Sequence, residues 1–368
     1  MKEINIAKSI VTKRREKGIT QDELAEYIGV SKASVSKWET GQSYPDIILL
    51  PQLAAYFNIS IDELMSYSPQ MTKEDIRKLY QRLSSDFAAK PFEDVIREVH
   101  NVIKKYYSCF PLLLQIVVLL VNHHMLTDNR KMQESLLQEA IDLCIRIKAE
   151  AEEVELIKDA NSLEAICCLL LNRPQKVLEL LGETIKPSPC DDESLAQAYY
   201  LLGNTTKANE VIQISMYQHL LMLMGTTPLY LMLNADNPEK SELILQRALA
   251  VAETFKLDTL HPNSMLKIYL SAAQVYSLQK QMDKALEMLE RYTNLCISEK
   301  FAWNLHEDTF FDTIGGWLKT FDLGTGAPRN EKVIKENMLL SITSNPFFTV
   351  LEKEPGYKTI VESLKKNL

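Results

Sequence analysis

The chain has 368 residues, 46% of them hydrophobic and 24% charged, a balance that excludes wholesale disorder and leaves room for two or three domains. Only 11 are glycine, too few for the many tight turns of an all-β protein, and the abundance of Leu, Ile, Glu, Lys and Gln points to helix. The formal net charge of −8 excludes a globally basic coat for nucleic acid but not one small DNA-binding module.

No apolar stretch reaches the roughly 18–20 residues that span a bilayer. The nearest, Leu112 to Val121, is interrupted by Gln115 and reads as a buried helix. Met1-Lys2-Glu3-Ile4-Asn5 lacks the apolar run of a secretory signal. The cysteines at 109, 144, 167, 168, 190 and 296 form no C-x-x-C pair and read as reduced thiols of a cytoplasmic protein.

The first sixty-eight residues break into five short predicted helices. The first spans about Ile4 to Lys17, with Ile6, Ile10 and Val11 inward, and Gly18 stops it. Thr20-Gln21-Asp22-Glu23 has the form of a capping box, so a second helix starts at Gln21, buries Leu24, Ala25 and Ile28, and ends at Gly29. Ser31 caps a third, Lys32 to about Glu39, on which only Val35 and Trp38 are large and apolar. After Gly41 and Tyr44-Pro45-Asp46 a fourth helix carries Leu49, Leu50, Leu53, Ala54 and Phe57. Pro51 requires that helix either to start near Leu50 or to kink. A second capping box, Ser60-Ile61-Asp62-Glu63, opens a fifth helix expected to bury Ile61 and Leu64. Two helices joined by Gly-Val-Ser, the second with so narrow an apolar stripe, make a helix-turn-helix. Val35 and Trp38 pin one edge of the third helix. Its other face, polar and free, suits a major groove about 12 Å wide.

Gly18-Ile19-Thr20-Gln21-Asp22-Glu23-Leu24-Ala25, Gly29-Val30-Ser31, Val35-Ser36-Lys37-Trp38-Glu39-Thr40-Gly41 and Tyr44-Pro45-Asp46 together resemble the Xre/Cro family of helix-turn-helix regulators. The resemblance covers roughly residues 4–66 and implies a five-helix, λ-repressor-like domain that binds operator DNA as a dimer. It implies that Gln21 holds a phosphate and buttresses the recognition helix. Lys32, Ala33 and Lys37 take the base-facing positions, while Ser34 and Ser36 reach bases or phosphates. Gln42, Ser43 and Tyr44 fall in the loop that grips backbone, and Arg14 with Glu39 matches an internal salt bridge.

Residues 1–68 hold eight Lys or Arg against nine Asp or Glu, a net −1 that is low for a DNA binder. Placement counts for more than the sum. Lys13, Arg14, Arg15 and Lys17 crowd the end of the first helix, and Lys32 and Lys37 flank the groove face.

Beyond a short linker, Ser66 to Gln70, the sequence changes to long amphipathic helices, predicted near 72–84, 92–107, 111–126, 130–149 and 151–171 and onward. Lys176-Val-Leu-Glu-Leu-Leu, Lys207-Ala-Asn-Glu-Val-Ile, Lys240-Ser-Glu-Leu-Ile-Leu and Lys284-Ala-Leu-Glu-Met-Leu each open a helix at intervals of 31, 33 and 44 residues. The last interval implies an insertion around Leu257 to Ser264. With Tyr199 to Asn204 and Ala272 to Tyr276 upstream of two of these helices, the pattern resembles a degenerate tetratricopeptide array, whose period is about 34 residues; the other reading is a non-repetitive helical bundle. Stacked hairpins bury a continuous core and leave a groove that receives peptides or partner helices. The combination is similar to that of Gram-positive peptide-pheromone receptors.

No catalytic set emerges. His123-His124 beside Asp128 lacks a third ligand at zinc spacing. Gly324 to Arg329 lacks both glycine-rich phosphate signatures and reads as a loop. His306-Glu307-Asp308 with Asp312 reads as a solvated helix face. Met222, Met224 and Met232 read as core packing, the other reading being an adaptable binding wall.

The expectation is an all-α, non-enzymatic chain without cofactor or metal. Its domains are a helix-turn-helix over 1–68 and a tetratricopeptide-like α-solenoid over 69–368 that dimerises and senses a peptide or protein. Its partner is palindromic double-stranded operator DNA, with no membrane partner. The alternative is an interaction scaffold whose DNA-binding domain is vestigial.

Overall fold

Local chemistry sets the first five helices. In the computed structural model, which describes residues 5–67, 70–185, 191–299 and 301–368, Asn5 caps α1 (Ile6–Glu16), its side chain accepting from Lys8 N at 3.1 Å. Both halves of the Thr20 capping box are formed on α2 (Gln21–Ile28), and Gly29 closes that helix at φ 79°, a left-handed conformation that costs glycine little. Ser31 caps α3 (Lys32–Glu39) through Ser34 N at 3.2 Å. A 3-10 turn, Ile47–Leu49, leads into α4 (Leu50–Phe57), so Pro51 lies in the first turn and no kink is needed. At α5 (Ile61–Leu64) the Ser60 side chain caps Glu63 N. The expectation for Ile61 was wrong: only Leu64 is buried, and Ile61 is 39% exposed. In so short a helix one inward position per turn meets the core. Ile6, Ile10, Leu24, Ile28, Val35, Trp38, Leu53, Phe57 and Leu64 are among the side chains of a single apolar cluster.

The reading of Met1 to Ile4, part of the linker (Ser68, Pro69) and Cys190 lie outside the described residues. Contacts divide the chain into two units, Met1–Thr72 with Val102–Leu113 and Lys73–Asn101 with Leu114–Leu368. The remaining helices are α6 (Lys73–Asp86), α7 (Phe92–Lys105), α8 (Phe110–His123), α9 (Arg130–Glu150), α10 (Val154–Leu170), α11 (Pro174–Leu181), α12 (Asp191–Leu201) and α13 (Thr205–Leu233). They continue with α14 (Pro238–Thr254), α15 (Leu257–Leu260), α16 (Pro262–Leu278), α17 (Met282–Cys296), α18 (Gly315–Lys319), α19 (Glu331–Thr343) and α20 (Pro355–Asn367). Among the described residues there is no strand, and the all-α expectation holds.

In the second unit, neighbouring helices pack in pairs: α9 on α10, α10 on α11, α12 on α13 and α16 on α17. The four lysine-led segments lie at or near the starts of α11, α13, α14 and α17, and α15 fills the longer third interval. A core from Tyr217 to Leu364 joins α13 through α20. Pro228 sits inside the 29-residue α13, where it removes one backbone donor. Thr226 and Thr227 turn their hydroxyls to carbonyls one turn back, at 3.1 Å to Met222 and 3.0 Å to Leu223.

Several remaining expectations resolve here. The Leu112 to Val121 run lies in α8 and is mostly buried, and among the described residues no helix is long and apolar enough to cross a membrane. His123 is buried, its ring stacked on Phe87 at 4.5 Å and its Nδ1–H donated to the Leu119 carbonyl at 2.8 Å. Burial pushes this imidazole down to about 4. The segment Gly324 to Arg329 is a loop pinned by α6: Arg77 donates to the Phe321 and Asp322 carbonyls, and the Tyr80 hydroxyl to that of Pro328 at 3.0 Å.

His306, Glu307, Asp308 and Asp312 are not on a helix, contrary to expectation, but in irregular chain before α18. There Glu307 accepts from Gly315 N, Asp308 from Phe310 N and Phe311 N, and Asp312 from Gln213. Glu307 and Asp308 thus bind backbone donors that lack helical partners, while Asp312 takes the Gln213 side-chain amide. The methionines divide: Met224 is fully buried and Met232 packs on the core, but Met222 is 67% exposed. The described cysteines are free and buried, and burial raises the Cys167 and Cys296 thiols to about 12, well above the range of a reactive thiolate.

Candidate nucleic-acid interface

The geometry of α3 follows from how little of it is anchored. Val35 is fully buried and Trp38 is 5% exposed, while Lys32, Ala33 and Lys37 are exposed and Ser34 and Ser36 half-buried. The chain then doubles back on the end of the helix. Gly41, at φ 74°, permits the reversal, and the Lys37 carbonyl accepts from Gln42 N at 2.9 Å and Ser43 N at 3.3 Å. This holds Gln42 and Ser43 at the C-terminal end of α3, and Tyr44, next along the loop, is 68% exposed.

A buried ionic network locks α3 against α1 and α2. Arg14 Nε donates to Glu39 Oε1 at 2.5 Å and Nη2 to Oε2 at 3.0 Å, a two-pronged contact, while Nη1 donates to the Ile19 carbonyl at 2.7 Å. Gln21 adds its amide to Glu39 Oε2 at 2.8 Å. The two charged side chains are only 13% and 6% exposed. Burial pushes the Glu39 carboxyl up, but Arg14, Gln21 and the nearby Arg15 outweigh it and hold the group below the usual carboxylate range. The internal Arg14–Glu39 pair is present, and Gln21 braces the end of α3.

The cations crowding the end of α1 are largely committed inside the protein. Lys13 pairs with Glu16 and Glu63 at 3.3 Å each, and Lys17 lies 3.8 Å over the Tyr56 ring and donates to the Tyr56 carbonyl. Lys32 meets Asp22 at 2.6 Å, with both side chains about 60% exposed. An exposed pair of this kind is worth about 0–1 kcal/mol, so a phosphate or base edge competes with it readily. The sequence reading missed this pair. Asp22 lies in the first turn of α2 and Lys32 opens α3, so their pairing depends on how the two helices pack, which local spacing does not carry. Also unanticipated are Ile47 and Ile48, 77% and 72% exposed on the turn after the loop.

An anchored second helix, a glycine-closed turn and an exposed third helix braced from behind define a helix-turn-helix. Residues 10–64 match the model of the helix-turn-helix family HTH_3. The HTH-type transcriptional activator BcrR of Enterococcus faecalis is 36% identical over 73 residues, covering 18% of this chain and 36% of that protein. The match thus spans about a third of that relative's length. Among solved structures, Bacillus thuringiensis PlcR, in complex with the peptide PapR7 and DNA, is 13% identical with a TM-score of 0.28, covering 79% of this chain and 95% of that one. ComR of S. thermophilus, in complex with DNA and its signalling peptide ComS, is 14% identical with a TM-score of 0.25, covering 79% and 92%. Likenesses so distant carry no argument about this chain.

Proposed function

We propose that the chain is a sequence-specific DNA-binding transcriptional regulator. In this reading residues 1–68 read operator DNA, and residues 69–368 form a helical-repeat domain that dimerises and senses a peptide or protein. The observation that carries it is α3: two buried anchors, a braced end, and an exposed face of Lys32, Ala33 and Lys37 flanked by Ser34 and Ser36. The family match over residues 10–64 and the likeness to an activator support the same reading. Lysine donates to guanine O6 and N7, and the alanine methyl packs on a thymine methyl. Gln21 and the Gln42, Ser43 and Tyr44 loop supply phosphate contacts in this reading, which fix register.

The scaffold reading draws on one observation, the internal pairing of Lys13, Arg14, Lys17 and Lys32. Selection of the full chain against random duplex DNA separates the two. A regulator enriches a palindrome whose half-sites lie about 34 Å apart centre to centre; a scaffold enriches nothing. On the enriched site, Lys32→Ala and Lys37→Ala are each expected to cost about 1–3 kcal/mol of base discrimination, and affinity falls steeply with added salt. Unchanged affinity and specificity in both variants would defeat the assignment.

A further inference from the structure

A trough of about 330 Å³ lies between α13 and α14. Its walls are Leu223, Met224 and Tyr230 from α13 and Leu243, Ile244 and Val251 from α14. Several are solvent-exposed, Leu223 at 55%, Tyr230 at 47% and Leu243 at 41%. Two cations, Lys240 and Arg247, stand along the rim, and among the described residues no acidic one lines it. Neither cation makes an ion pair among the described residues; the Lys240 ammonium lies 5.9 Å from the centre of the Tyr230 ring. The neighbouring acid on α14, Glu242, is already engaged by Lys284, Tyr276 and Gln246.

We infer that this trough binds an amphiphilic carboxylate, an unbranched acyl chain lying on the apolar walls with its acid group against Arg247 or Lys240. The charge pattern selects an anion, since two unpaired cations without a carboxylate favour a negative head group. The walls select a chain without hydrogen-bonding groups along its length. Every residue of a bound peptide brings a donor and an acceptor that need partners once water is excluded. The lining offers few: the Thr227 hydroxyl is bonded to the Leu223 carbonyl at 3.0 Å, and Tyr230 supplies the other uncharged side-chain polar group. An acyl chain brings no such need. The two cations sit seven residues apart on one helix, two turns or about 10 Å, so one head group meets one cation at a time and both must be removed to abolish the preference. The site is separate from the helix-turn-helix and does not depend on DNA binding.

Calorimetric titration of the full chain with decanoate, and separately with decanol, tests the assignment. The wild type is expected to bind decanoate saturably in its monomeric range and decanol about tenfold more weakly, the difference a charge-assisted contact supplies. The double variant Lys240→Gln, Arg247→Gln should bind the two alike. Leu243→Asp, at a position already 41% exposed, should lose both. Absence of saturable decanoate binding, equal affinity of the wild type for acid and alcohol, or an undiminished preference in the double variant overturns the inference. So does a short apolar peptide that binds the trough when decanoate does not.

Discussion

Replacing Trp38 with alanine is expected to unfold the helix-turn-helix while the second unit keeps its structure. The indole is 5% exposed and, with Val35, anchors α3 to the core shared by α1, α2 and α4. Truncating a buried aromatic costs about 3–5 kcal/mol through lost burial and the cavity left behind, a large part of the 5–15 kcal/mol that holds a typical domain together. Hydrogen exchange read by mass spectrometry separates the units within the intact chain. Protection should collapse across residues 5–67 and persist across α13 to α17. Trp38→Phe, which keeps most of the volume, should retain most of the protection. Equal protection in Trp38→Ala and the wild type would mean that α3 is held by something other than its two apolar anchors.

The second large effect is expected from Arg14→Ala. It leaves the Glu39 carboxylate, 6% exposed, without its cation, and breaking a buried pair by removing one partner costs about 3–5 kcal/mol. Removing both in Arg14→Ala, Glu39→Ala should cost less than Arg14→Ala alone, because no buried charge remains. The pH dependence distinguishes this from simple loss of packing. In the wild type the Glu39 carboxyl is held below its usual range. Its contribution is therefore complete above the unfolded value of about 4.3 and is lost as pH falls through the lower folded value. In Arg14→Ala the chief depressing partner is gone and only Gln21 and Arg15 remain against burial, so the folded carboxyl value is expected to rise. The variant then gains less stability than the wild type as pH rises and the carboxyl ionises. The deficit of the variant, measured as local stability by hydrogen exchange, should thus be smaller near pH 4 than near pH 7. A deficit independent of pH would assign Arg14 a packing role only.

The helix-turn-helix was legible because its boundaries are written in side chains that bind nearby backbone. Thr20 and Glu23 specify one helix start, Ser31 another, and Gly29 a left-handed stop between them. The Pro51 alternatives closed at Leu50 because a 3-10 turn precedes it. Local patterns fail where partners are distant in sequence. Asp308 and Glu307 look like an acidic helix face, yet their oxygens cap backbone donors of an irregular segment whose path depends on Gln213, a hundred residues upstream. Met222 and Met224 look equivalent by composition, but only the second faces the core of α13. The trough between α13 and α14 was equally hidden, since its leucines follow the same helical spacing as buried ones. Periodicity marks a face as apolar; it does not say whether another helix covers it.

The central claim is that the exposed face of α3 lies against base edges. Ala33 sits on that face, and the described cysteines are all buried, so Ala33→Cys in a Cys190→Ser background offers a selective attachment point for a DNA-cleaving iron chelate. On the selected operator, cuts should fall inside each half-site, symmetric about its centre and offset as the major groove dictates. Cuts scattered over the duplex, or none on a DNA the tethered protein still binds, would place α3 away from the bases and contradict the account.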